Sequence, residues 1–257
     1  MLAGLIFGTP LTLYGAMFWE HALAVALTCG AVRHLLIAPG TNGSVRTSFV
    51  WGAVLGFTSW IRPECFALVG AVTAASFFCL RRQLGVRRWA AFSGGAALVV
   101  ALFLLGNLWM YGVLLGTHGM QVTRAIAFFE RLIRFARNLG ALGYEFIVYV
   151  PVVVFAAAAL LLRGRAPQRG GAILFLVLAG GLYLIGASAI VPHRGGLQFG
   201  PRYLFPAISI VFFLCALLLR DLGSASARPR GGLLVAAVAA VLVGSWANAC
   251  AGSVRLA

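Results

Sequence analysis

Residues 47–88 read TSFVWGAVLGFTSWIRPECFALVGAVTAASFFCLRRQLGVRR. Two apolar runs, 47–61 and 64–80, are joined by Arg62-Pro63-Glu64 and closed by a strongly basic stretch, 81–88. A helix needs about 20 mostly apolar residues to cross the hydrocarbon layer. The second run has the length and composition of a span. The first is shorter and contains Gly52 and Gly56, so it is read as a span that thins the bilayer locally or packs against its neighbours. A polar turn at one end of a helical pair and an arginine-rich turn at the other is the repeating unit of a polytopic membrane protein.

Composition extends that reading to the whole chain. Of 257 residues, 62% are hydrophobic and only 10% charged, with a mean hydropathy of +0.99. Soluble domains carry about 25% charged residues, and no soluble core of this length hides so much apolar surface. The expected fold is an all-α polytopic integral membrane protein forming one transmembrane domain over 1–257. Further spans are expected at 17–37, 89–111, 146–162, 172–191, 203–219 and 233–250. Residues 2–14 make a partial span broken by Gly8-Thr9-Pro10. That gives eight or nine segments by length.

All 20 basic residues are arginine, and the net charge is +15. Bias toward Arg, Ala and Gly suggests a GC-rich bacterial genome. The arginines flank apolar spans singly or in short groups, which suits anionic lipid or phosphate and not nucleic acid. Threading the spans in order puts Arg33, Arg46, the arginines of 81–88 and 163–169, and Arg220, Arg228 and Arg230 on one side. These are 12 of the 20, and the positive-inside rule makes that side cytoplasmic. The formal glycosylation sequon Asn42-Gly43-Ser44 falls there too. The cysteines, Cys29, Cys65, Cys79, Cys215 and Cys250, are odd in number, lack a CxxC spacing and lie in apolar sequence, so they are read as small core residues.

The opposite side collects most of the remaining ionisable groups. Glu20-His21 follows the interfacial aromatics Tyr14 and Trp19 at a helix start. A carboxylate is favoured there by the helix dipole, and the pair serves either as cap and anchor or as base and metal ligand. Arg62 and Glu64 form either a structural pair or part of a site. In the second case Arg62 would grip a phosphate; in either case Pro63 suits the first turn of the next helix and Glu64 its positive end. Asn107, Tyr111 and Gly116-Thr117-His118-Gly119 end another span. The densest polar stretch is His193-Arg194-Gly195-Gly196-Leu197-Gln198-Phe199-Gly200-Pro201-Arg202-Tyr203. Its glycines let the backbone curve round a ligand and its charges suit a pyrophosphate or phospholipid head, unless they serve only as interfacial anchors. Between these, residues 121–139 put Arg124, Glu130, Arg131, Arg134 and Arg137 on one helical arc and apolar side chains on the other. This predicts an external interfacial helix, either a surface anchor or a shelf attracting a lipid phosphate. No Walker loop, GxSxG, HExxH or zinc pattern is present.

Four motifs in this order carry a resemblance: YGAMFWEHALA at 14–24, RPE at 62–64, Asn107 followed by Tyr111-Gly112 and GTHG at 116–119, and GGLQFGPRYLFPAI at 195–208. They are similar to polytopic glycosyltransferases of the GT-C superfamily, in particular bacterial polyprenyl-phosphate-sugar-dependent enzymes related to protein mannosyltransferases. The resemblance covers most of the chain, and the order of the motifs is more specific than any one of them. It implies transfer of a sugar from a polyprenyl-phosphate donor to an acceptor at the outer face of the bacterial inner (plasma) membrane. Glu20, His21 and Glu64 would be catalytic, while Arg62, His118, His193, Arg194, Arg202 and Tyr203 would bind the substrate. The implied partners are the polyprenyl-phosphate-linked sugar and membrane lipid. The implied cofactor is a divalent metal ion, with ligands left open, near a carboxylate in the first external loop. The only Asp is Asp221, on the predicted cytoplasmic side, so the chain is expected to be a member lacking its N-terminal helices.

Two rivals stand beside this reading. A transporter or flippase for an anionic lipid or solute would also hold Arg and Glu in a cavity, but it calls for paired repeats with broken helices, and none is evident. The other rival is an inactive scaffold or truncated fragment. The arginine asymmetry yields a direct expectation. Reporter fusions at Gln83 and Gln168 report the cytoplasm, and fusions at Gln121 and Gln198 the outside. Opposite sidedness at Gln198 would remove the 193–203 stretch from the outer-face site.

Overall fold

The computed structural model describes residues 20–40, 44–115, 128–150, 152–154, 156–157, 170–191 and 202–224, with single positions 239 and 243. The elements among them are all helical: α1 (Glu20–Ile37), α2 (Val45–Ile61), α3 (Cys65–Leu84), α4 (Val86–Tyr111), α5 (Phe128–Tyr149), α6 (Gly170–Ile190) and α7 (Phe205–Ser224). Short 3-10 turns, Ala38–Gly40 and Arg202–Leu204, follow α1 and precede α7. Helices α1, α3, α4 and α6 are long and apolar enough to cross a membrane, and α7 contributes a shorter apolar stretch, Phe205–Arg220. The chain is therefore all-helical and of the integral membrane class. The spans expected at 2–14 and 233–250 fall outside the described residues, apart from positions 239 and 243.

Helix α2 has 17 residues, about 25 Å at 1.5 Å per residue, which is short for the hydrocarbon layer. Close packing compensates for the length. A Cβ on Gly56 would sit 2.6 Å from the Ala96 carbonyl oxygen. On Gly52 it would overlap the Phe92 carbonyl, and on Gly95 of α4 the Phe49 carbonyl. Lipid tails are as apolar as leucine, so backbone approach through small residues is a principal attraction open to membrane helices. Gly52 faces Phe92, Gly56 faces Ala96, and the Trp60 indole N–H donates to the Val99 carbonyl at 3.1 Å. The partners advance in the same direction, so α2 and α4 run parallel.

Helix α3 runs against α6. Gly171 at the start of α6 meets Cys79 and Gln83 near the end of α3, while Gly186 meets Ala67 near its start. Helix α1 runs against α2. Its first residue lies by Arg62, past the end of α2, and His34, near its end, has Nε2 3.2 Å from Ser48 Oγ at the start of α2. Several hydroxyls inside these helices bond back to their own preceding turn: Thr28 to Ala24, Thr58 to Leu55 and Ser188 to Leu184. That satisfies them without a partner from lipid.

Several boundaries differ from the sequence expectation by a few residues, and three of the differences change how helices join. Helix α3 continues past Leu80 through Arg81 and Arg82 to Leu84, and α4 starts at Val86, not 89. The basic stretch read as a loop is thus helix on both sides of one residue, Gly85, at φ +80°, which a side chain would strain. Arginine stems pack along helices while their heads reach out, and the Arg81 guanidinium lies 4.3 Å from the centre of the Phe77 ring. The third difference is α5. It does not stop at 139 but runs to Tyr149, taking 146–149 from the span expected at 146–162. The buried Asn138 amide donates to the Ser188 and Val191 carbonyls at 3.3 and 2.9 Å. That bond pins the middle of α5 to the end of α6 and caps carbonyls that α6 leaves open. Residues 121–127 of the expected external helix lie outside the described residues.

The α2–α4 contact gives a stability test. Gly52→Leu must force two backbones apart, and is expected to cost about 2 kcal/mol or more by overpacking. Gly94→Leu, where an added Cβ meets nothing within 4 Å, should cost little. Unfolding in mixed detergent micelles measures both, and equal stability of the two variants would refute the close contact.

Candidate functional site

Helix α2 ends where Arg62 turns extended, at φ −144° and ψ 121°, with its amide donating to the Thr58 carbonyl at 2.9 Å. A tight turn follows. The Cys65 amide donates to the Arg62 carbonyl at 3.0 Å and the Phe66 amide to the Pro63 carbonyl at 3.1 Å. Pro63, expected inside the first turn of α3, stands one residue before its cap. Glu64 occupies the cap position but makes no side-chain cap bond, because its carboxylate is turned to Arg62.

Arg62 is the centre of the cluster. Its Nε and Nη2 lie 2.7 and 2.6 Å from Glu64 Oε1, and its Nη1 lies 2.8 Å from Glu20 Oε1 at the first turn of α1. The side chain of Glu64 is 8% exposed, that of Arg62 17% and that of Glu20 35%, so Glu20 is the most exposed of the three. Burial alone would pull the Arg62 guanidinium down. Glu64 and then Glu20 outweigh it and hold Arg62 above its ordinary range, so it stays charged. With two carboxylates on one guanidinium, the trio carries a net negative charge.

His21 is buried beside them. Its Nδ1 lies 3.9 Å from Glu20 Oε1, close in charge terms but too long for a hydrogen bond. The ring meets Phe205 edge-on, with centroids 5.5 Å apart and planes at 76°. This contact brings the head of α7, and with it the backbone of the Arg202–Leu204 turn, to the same end of the bundle as the acid cluster. Tyr203 is buried there, and its carbonyl accepts from the Tyr183 hydroxyl at 2.5 Å.

Of the residues singled out from sequence, Glu20, His21, Arg62 and Glu64 come together. Arg62, expected as a phosphate ligand, spends three of its five N–H groups on carboxylates. Arg202 opens the turn before α7; His118, His193 and Arg194 lie outside the described residues. Asn107 is buried, and its amide nitrogen makes no hydrogen bond. Among the described residues no trio of His, Cys, Asp or Glu forms a metal-binding group.

Sequence reasoning missed Tyr183 and Asn138. Each had a signal, a phenol alone in a long apolar run and an amide beside an arginine arc, but neither signal names its partner. A separate cavity of about 240 Å³ lies between α5, α6 and α7, lined by apolar residues including Phe146, Leu176, Gly180, Leu204 and Ile210.

The ion cluster predicts an asymmetry. Arg62→Met leaves Glu64 buried without its partner and should cost about 3 kcal/mol, the usual price of breaking a buried pair. Adding Glu20→Gln and Glu64→Gln to Arg62→Met should return most of that loss. Detergent unfolding of the single and triple variants decides it; a triple variant no better than the single one would contradict the pairing.

A scan of protein-family models, a search of curated proteins and a search of solved structures each find no match to this chain.

Proposed function

We propose that the protein is a membrane glycosyltransferase that moves a sugar from a polyprenyl-phosphate donor to an acceptor at the outer face of a bacterial inner membrane. The observation that carries this reading is the Glu20–Arg62–Glu64 cluster beside buried His21, at one end of a bundle of membrane helices. Ionisable groups in or beside spans are costly and mark functional sites by default. The apolar cavity adds support. It reaches Leu204, two residues from Arg202, so an amphiphile could lay its hydrocarbon there with its phosphate toward the turn.

In this reading Glu20, the most exposed acid, takes the proton from an acceptor hydroxyl. The hydroxyl oxygen bonds the sugar's anomeric carbon as the bond from that carbon to the phosphate oxygen breaks, and polyprenyl phosphate leaves. Arg62 fixes the angle of Glu20, and Glu64 is the buried counter-charge that fixes Arg62. His21 sets the floor of the site. Arg202, with His193, Arg194, His118 and Tyr203, neutralises or orients the leaving phosphate. No step is assigned to a metal ion.

One observation favours a second reading. Arg62 is so fully engaged by carboxylates that the cluster also serves as a structural clamp between α1 and the α2–α3 turn. Glu20→Gln separates the two. The amide oxygen still accepts from Arg62, but the side chain takes no proton. Transfer of labelled sugar from a polyprenyl-phosphate donor in native membranes should fall by about 10²–10⁴-fold, the scale of general-base catalysis, with stability nearly unchanged. Full transfer by the variant would leave the clamp as the cluster's role.

A further inference from the structure

The end of the bundle away from the acid cluster gathers the finish of α1, the start of α2, the turn between α3 and α4, and the start of α6. Arg33, Arg46, Arg82 and Arg87 are exposed there. Arg81 is occupied by the Phe77 ring, and Arg88 donates to the Ala38 carbonyl, tying α4 to the turn after α1. Each exposed arginine stands next to, or one helical turn from, an exposed apolar side chain: Arg33 with Ile37, Arg46 with Val45, Arg82 with Phe78, and Arg87 with Val86. Phe78 and Val86 are 75% and 65% exposed. Glu20 and Glu64 belong to the opposite end, Glu130 and Glu145 to α5, and Asp221 lies near the end of α7.

We propose that this end is a docking surface for anionic phospholipid headgroups, held by Arg33, Arg46, Arg82 and Arg87. The alternation of guanidinium and bare hydrocarbon decides the partner. A nucleic acid or an acidic soluble protein would match the charge but leave Phe78 and Val86 in water. A lipid at the edge of a bilayer matches both, because its acyl chains cover the apolar side chains while its phosphate meets the guanidinium. The inference is independent of the acid cluster and of any reaction there.

The test uses the full chain in nanodiscs of phosphatidylcholine mixed with equal phosphatidylglycerol, extracted into mild detergent. Native mass spectrometry then counts the retained lipids. Phosphatidylglycerol should exceed phosphatidylcholine by at least about fivefold, which corresponds to the roughly 1 kcal/mol that one basic residue gains near an anionic surface. Replacing all four arginines with Gln should erase the preference, and replacing them with Lys should keep it. If the Gln protein does not fold, the pair Arg82→Gln and Arg87→Gln should lower the ratio at the α3–α4 turn. Equal retention of the two lipids by the native chain would overturn the proposal, as would an unchanged ratio in the Gln variants. Sodium phosphate and sodium chloride at matched ionic strength should strip the lipid equally. Stronger displacement by phosphate would assign the surface to a free anion instead.

Discussion

A charge in hydrocarbon must bring its counter-charge with it, and the acid end of this bundle is organised round that constraint. Arg62 cannot point at lipid, and neither can Glu64, which is nearly buried. Their mutual bonds fix the turn between α2 and α3. The third bond, from Arg62 to Glu20, fixes where α1 begins. His21 then follows into the interior by its place in the helix, and Phe205 closes over it from α7. One guanidinium thus sets the relative position of four helices. Such a network contributes less net stability than its contacts suggest, because desolvation offsets much of the attraction. It does specify a single arrangement.

The rest of the bundle is held by shape. Parallel α2 and α4 touch through Gly52, Gly56 and Gly95, with carbonyls of each helix lying where side chains would otherwise be. Around that contact α4 exposes Leu98, Leu102, Leu105 and Trp109, as a helix facing lipid can. Thr28, Thr58 and Ser188 spend their hydroxyl bonds on their own helix, while Trp60, Asn138 and Tyr183 reach across to a neighbouring element, so small residues and a few cross-helix bonds specify the bundle centre and charge specifies its acid end.

Much of this was legible in the sequence, for reasons that differ by feature. Apolar length gave the helical membrane class. The pair Arg62 and Glu64, two residues apart across a proline turn, could be read as neighbours because local geometry leaves little choice. The bond from Arg62 to Glu20 could not, since hydropathy shows which segments are helices and not which of them touch. The joint at Gly85 was obscured for another reason: arginines count as loop residues by charge, while their stems behave as helix. Asn138 was hidden because its role, capping a helix some fifty residues later, has no local signature. The glycines of α2 read as part of a short span that thins the bilayer or packs against neighbours, and that the neighbour is the backbone of α4 emerges only from the structure.

That last contact has a consequence for how the chain reaches the bilayer. Helix α2 is short, and its glycine face suits the backbone of a helix that is synthesised later. When α2 leaves the ribosome, α4 does not yet exist. Helices α3 and α4, joined through the single residue Gly85, leave no slack for one to enter without the other, so they are delivered as one hairpin. Until that hairpin arrives, α1 is the described helix already made beside α2. Assembly of this region is therefore ordered by translation: a short helix made early is completed late.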